Sequence, residues 1–111
     1  MTTLLQEMEQ QRLQRRERLR AEVRQQLREA LLQTIPGQRV VVFGSLTKPG
    51  RFNEGSDIDL ALESEPPGMS LYQLASRLAE RLGRRVDVLL LHESRFQDKI
   101  LREGETWTLP D

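Results

Sequence analysis

Between Leu4 and Thr34 the chain has neither glycine nor proline, and Leu, Arg, Gln and Glu, all good helix formers, fill most positions. Such a stretch predicts one long helix, ended by Pro36-Gly37. In a chain of 111 residues this leaves room for one core and not for two domains of ordinary size. The two halves of the helix differ. Leu19, Val23, Leu27, Ala30, Leu31 and Ile35 recur at spacings of three and four, the mark of a face packed on the rest of the molecule. Gln6 to Arg18 offers only Met8 and Leu13 as apolar residues, so this half is expected to project or to contact another chain. Pairs such as Arg18 with Glu22 can interact across one turn, and a solvated face is the plainer reading of so much charge. The expected organisation is a long helix at 1–35, packing on the core and open to a partner, and a compact core at 36–111.

Charge and composition narrow the functional classes. Lys plus Arg (17) equals Asp plus Glu (17), so no net field favours sequence-independent nucleic-acid binding or an anionic membrane. The absence of cysteine excludes a disulfide scaffold, a thiolate zinc site and cysteine chemistry. No segment has the apolar core of a signal peptide or the roughly 20 apolar residues of a membrane span, and the chain reads as soluble and cytoplasmic.

Arg39 to Phe43 is a continuous β-branched run, expected as a strand covered on both faces, and it stops at Gly44-Ser45. Leu46 to Ser56, with Pro49, two glycines and Asn53, reads as an exposed loop with room for one helical turn. Asp57 to Leu62 then alternates strictly, with Ile58, Leu60 and Leu62 on one face and Asp57, Asp59 and Ala61 on the other. After Pro66-Pro67-Gly68, Ser70 with Gln73 forms a capping-box signature for a helix carrying Leu71, Leu74, Ala75, Leu78 and Leu82, and Gly83 stops it. Arg85 to Leu91 is a third strand. Ser94 with Gln97 opens a short helix through Ile100 and Leu101, closed by Gly104, and Trp107 and Leu109 are expected to cover an edge of the core. The fold class is a small α/β or α+β domain with a mixed sheet of three to four strands flanked by helices.

Three features could carry chemistry. Gly44-Ser45 follows a buried strand, and glycine there lets backbone approach a ligand while the serine offers a hydroxyl and an amide; by itself such a pair is usually only a turn. Asp57-x-Asp59 sets two carboxylates about 6 to 7 Å apart on one strand face. Like charges so placed call for something positive, and Mg²⁺ prefers such oxygen ligands together with phosphates and waters, although exposed carboxylates on a solvent face are the alternative. Asp87, between Val86 and Val88, is costly to bury alone. Either Arg84 or Arg85 neutralises it, or it faces the same site as Asp57 and Asp59. Gly-Ser followed at one fixed distance by Asp-x-Asp arises by chance in about one chain per thousand of this length. His92, Tyr72 and Trp107 read as a strand-end residue and two packing groups.

Gly44-Ser45, the loop, Ser56-Asp57-Ile58-Asp59-Leu60 and later Val86-Asp87-Val88 resemble the minimal nucleotidyltransferase domains of the DNA polymerase beta superfamily, over about residues 35 to 92. The resemblance implies a nucleotidyltransferase fold, a Gly44-Ser45 loop that cradles the triphosphate, and two Mg²⁺ ions. It implies that Ser45 contacts the β or γ phosphate, that Asp57 and Asp59 hold the metals, and that Asp87 completes the acceptor-side metal and helps deprotonate the attacking hydroxyl. Two metals about 3.5 to 4 Å apart stabilise the entering and leaving oxygens of an in-line displacement, which fits this set. Family members often place an Arg soon after Gly-Ser, where this chain has Leu46-Thr47-Lys48, so Lys48 or Arg51 is the expected phosphate contact, with Ser56 beside the motif. The spacer of eleven residues between Ser45 and Asp57 is one longer than the commonest pattern, a mild insertion.

Acceptors in that superfamily include nucleic-acid ends, antibiotics and proteins. On this size and charge balance, neither a second module nor a basic surface to hold extended RNA is expected. It is similar in size and motif to antitoxins paired with a HEPN-type toxin, a helical RNase encoded beside them. That resemblance implies transfer of AMP from ATP to a tyrosine of the toxin. The alternatives are a non-catalytic module that neutralises its partner by covering it, and transfer to RNA or a small molecule.

Overall fold

The computed structural model describes residues 3–111. Helix α1 runs from Leu4 to Thr34, and its first turn is closed by a capping box in which the Thr3 hydroxyl accepts from the Gln6 amide and the Gln6 side chain accepts from the Thr3 amide. Strand β1 (Arg39–Phe43) leads into a 3-10 turn at Gly44–Thr47. Strand β2 (Ile58–Leu62), helix α2 (Leu71–Leu82), strand β3 (Val86–Leu90), helix α3 (Gln97–Glu103) and strand β4 (Glu105–Thr108) follow. The four strands form one mixed sheet in the order β3-β2-β1-β4. β1 is antiparallel to both β2 and β4, while β2 and β3 run parallel and are joined through α2.

Helices cover the two sheet faces unequally. Val23, Leu27, Ala30 and Leu31 of α1 and Leu74 and Leu78 of α2 pack with Val40, Val42, Ile58, Leu60 and Leu62 in the main core. The opposite face carries a smaller cluster in which Ile100 of α3 meets Val41, Ala61 and Leu91, with Phe43 and Leu89 partly buried beside it. The short α3 contributes only Ile100 to that cluster and covers only part of the face.

The helix ends show why the sequence signals worked where they did. Ser70 and Gln73 form the expected capping box, and Gly83 takes the left-handed φ of 67° that ends α2. The signal at Ser94 and Gln97 differs: the N-cap of α3 is Phe96, and the Ser94 hydroxyl accepts from the Phe96 amide two residues too early to cap the helix. The stretch after Gly44 is also less exposed than its composition predicts. Leu46 and Phe52 are fully buried, because α1 reaches over the loop: Arg20 Nε donates to the Leu46 carbonyl at 2.8 Å, and the Gly50 amide donates to Glu17 at 2.6 Å. Trp107 is buried as a strand residue of β4, with the guanidinium of Arg28 4.5 Å from its ring centre. Tyr72 is not a packing group, being 81% exposed on α2.

Candidate active site

The strand registers bring the acidic residues together. Phe43 pairs with Asp59 across β1 and β2, and Asp59 pairs with Asp87 across β2 and β3. Directly opposed residues share a face, so Phe43, Asp59 and Asp87 form one row across three strands, with Asp57 just ahead of β2 on the same side. Ile58 and Leu60, between and beyond the two β2 aspartates, are fully buried in the main core. Period-two alternation therefore fixes where the carboxylates point: they share the face that α3 leaves partly open.

Gly44 adjoins this row. It holds φ at 78°, and a Cβ there would collide with the Asp59 carboxylate. Only glycine satisfies both conditions, since L-residues pay for the left-handed region and any side chain would displace Asp59. The turn that follows is anchored from within by the Thr47 hydroxyl donating to the Gly44 carbonyl at 2.8 Å, and from outside by Arg20 of α1. Ser45 stands half-buried at the start of this turn.

Of the two arginines beside Asp87, Arg85 supplies the counter-charge. Its Nε donates to Asp87 Oδ1 at 3.1 Å and stands 3.9 Å from Asp57 Oδ2, while the side chain remains 72% exposed. Arg84 turns elsewhere, lying over the Phe52 ring and donating to the Ser56 carbonyl at 3.0 Å. Burial, and then the like charges of Asp87 and Asp57, hold the Asp59 carboxyl above the ordinary aspartate value of 3.8, with Arg85 pulling the other way.

The remaining residues expected at the site are spread around it. Lys48 lies 3.7 Å from Glu103 of α3, and Arg51 is exposed beyond the turn. The Ser56 hydroxyl accepts from the Asn53 amide at 3.0 Å and closes the loop ahead of Asp57. A cleft of about 300 Å³ opens beside Gly44 between this turn and α3. Phe43, Leu89, Phe96 and Ile100 form its apolar lining, with Lys48, Lys99 and Glu103 also bordering it. Sequence reasoning did not select the α3 residues, because nothing local marks them; pairing of β4 with β1 fixes where α3 lies.

Among the described residues, no group of three His, Cys, Asp or Glu side chains is already arranged to hold a metal ion. The donor chemistry nevertheless suits a hard divalent cation: three carboxylates face one region, one is pressed against a glycine, and a guanidinium has been drawn between the other two.

A mixed sheet that sets one aspartate in a strand, a second just ahead of it and a third from a parallel neighbour against a Gly-Ser turn is the nucleotidyltransferase fold. The chain belongs to the polymerase beta nucleotidyltransferase family, whose model matches residues 25–108. Among solved structures it is similar to a chain from a crystal structure of a toxin-antitoxin with AMP-PNP, at 26% identity and a TM-score of 0.57, covering 76% of this chain and 72% of that one. It is also similar to a chain from a mutant of the toxin-antitoxin MntA-HpeT, at 25% identity and a TM-score of 0.52, covering 71% of this chain and 66% of that one. No curated protein sequence gave a significant match.

Proposed function

We propose that this chain is an antitoxin that transfers AMP from ATP to a hydroxyl of its partner toxin, a tyrosine of a HEPN-type RNase. The observation that carries this reading is the row of Asp59 and Asp87 with Asp57 beside it, set against a Gly44 that has no room for a side chain. The similarity to chains from toxin-antitoxin structures, one of them solved with an ATP analogue, supports the partner and the nucleotide.

In this reading the triphosphate lies along the Gly44-Ser45 turn, where the Ser45 hydroxyl and turn amides donate to phosphate oxygens. The apolar cleft beside Gly44 takes the base, a planar group suited to Phe43, Leu89 and Ile100. Lys48 and Arg51 supply positive charge near the turn. Asp57, Asp59 and Asp87 would hold Mg²⁺, which when bound neutralises phosphate charge and polarises the reacting oxygens. The acceptor oxygen forms a bond to the α-phosphorus, the bond from that phosphorus to the β-phosphate bridging oxygen breaks, and pyrophosphate leaves with both electrons. Asp87 takes the hydroxyl proton; it stands on the edge strand, where an approaching protein reaches it.

The test is to mix the protein with ATP, Mg²⁺ and the product of the neighbouring gene and to weigh the partner. A gain of about 329 Da, lost in Asp57→Asn with Asp59→Asn, supports the reading. An unmodified partner overturns it, and full neutralisation by the double variant assigns the protection to occlusion. Turnover with RNA or a small molecule in the partner's absence reassigns the acceptor.

A further inference from the structure

We infer that Arg85 is a built-in counter-ion for the carboxylate row, one that a divalent cation must displace, so that this residue sets how tightly the protein takes up metal before nucleotide arrives. The inference rests on the proposed metal-dependent reading of the site. Its own basis is the placement of one guanidinium, 3.1 Å from Asp87 and 3.9 Å from Asp57.

Three carboxylates on one sheet face repel one another, and among the described residues the half-buried Asp59 between them has no counter-charge within salt-bridge distance. A cation lowers that energy. Among the described residues the one in place is Arg85, whose Nε reaches both flanking aspartates from the residue just ahead of β3. It is held by little else, since its side chain is 72% exposed and an exposed ion pair contributes on the order of 1 kcal/mol or less. This is the behaviour of a place-holder. It is strong enough to quiet the repulsion in the resting protein and weak enough to yield to a doubly charged ion that takes several carboxylate oxygens at once. Arg84, its sequence neighbour, is committed to Phe52 and Ser56 and has no such role.

Metal loading is then an exchange rather than a simple addition. Two consequences follow. The free protein holds divalent ions more weakly than its three carboxylates alone would. The displaced guanidinium is left beside the groove between α2 and β3 that it already borders, next to the edge where the acceptor is expected.

The test measures Mn²⁺ binding to the full-length protein without nucleotide, from the electron-paramagnetic signal of the free ion. Arg85→Gln is expected to lower the dissociation constant about two- to fivefold. Arg85→Lys, which keeps the charge, should stay near wild type, and so should Arg84→Gln. An unchanged or weaker affinity in Arg85→Gln overturns the inference, and so does an equal gain in Arg84→Gln, which would point to the general field alone. A second measurement needs no variant: in the wild-type protein, Mg²⁺ should shift the Arg85 Nε–H resonance toward that of a free arginine side chain and leave Arg84 unmoved. A stationary Arg85 signal under saturating metal overturns it. Absence of Mn²⁺ binding in both wild type and Arg85→Gln would remove the metal-dependent reading itself, and with it this inference.

Discussion

One methyl group added at residue 44 does two kinds of damage. The left-handed φ of 78° costs an alanine about 1 to 2 kcal/mol, and the new Cβ pushes the Asp59 carboxylate off its place. Gly44→Ala is therefore expected to lower stability in urea melts by about that amount and transfer activity by about a hundredfold, a disproportion that separates site geometry from folding. Asp59 itself carries a signed pH dependence. Its folded value lies above the ordinary 3.8, so the charged form is disfavoured on folding; the stability it permits is fully present below that ordinary value and is lost as pH rises through the folded one. In metal-free buffer Asp59→Asn should melt higher than wild type at pH 7, with the difference closing toward pH 3.8. A lower melting temperature at pH 7 would contradict the strain assigned to this row. The common face of Asp57 and Asp59 was legible in the sequence because period-two alternation fixes it, whereas the place of Asp87 in the row needed the parallel register of β2 and β3. The choice between Arg84 and Arg85 as counter-charge was not legible either, since it depends on where Phe52 packs.

At the scale of elements, the Gly44–Thr47 turn is positioned by α1 as much as by its own residues. Arg20, with only 16% of its side chain exposed, donates to the Leu46 carbonyl, and Arg24 approaches the same oxygen at 3.4 Å. Arg20→Met keeps most of the aliphatic stem and removes the donor. It should cost about 1 to 3 kcal/mol and weaken binding of a non-hydrolysable ATP analogue in calorimetry, while circular dichroism stays that of the folded sheet. Arg24 also pairs with Glu105 of β4 at 2.8 Å, and its hydrogen bond is the main reason that the Glu105 carboxyl sits below the ordinary 4.5. A lowered value stabilises the fold above the ordinary one and is lost as pH falls through the folded one. Glu105→Gln should therefore melt below wild type at pH 7 and match it in sufficiently strong acid. The long helix, the three apolar strands and α2 were readable because periodicity, caps and breaks are local. The burial of Leu46 and Phe52 was not, because it is made by Glu17 and Arg20, far away in the chain. The α3 side of the cleft was hidden for the same reason.

For the molecule as a whole, extents of 57 × 29 × 22 Å reflect a helix of about 46 Å laid across a smaller domain. Its first turns, with Leu4, Leu5 and Met8 exposed, lie ahead of the residues that grip the loop. Removing residues 1–11 should shift the melting temperature by less than about 3 °C, because none of the described residues lost belongs to the core. A larger drop would mean that the arm supports the fold. Among the described residues no helix is long and apolar enough to cross a membrane.

The parallel pairing of Asp59 with Asp87 has a last consequence, for errors in assembly. Were β3 to slip by a single residue, its side chains would exchange faces, thrusting Asp87 toward Leu74 and Leu78 and presenting a valine where the acid should stand. A mispaired molecule would thus forfeit its core along with its chemistry. Register and core fail together, so a slipped chain is expected to unfold rather than persist with a displaced carboxylate.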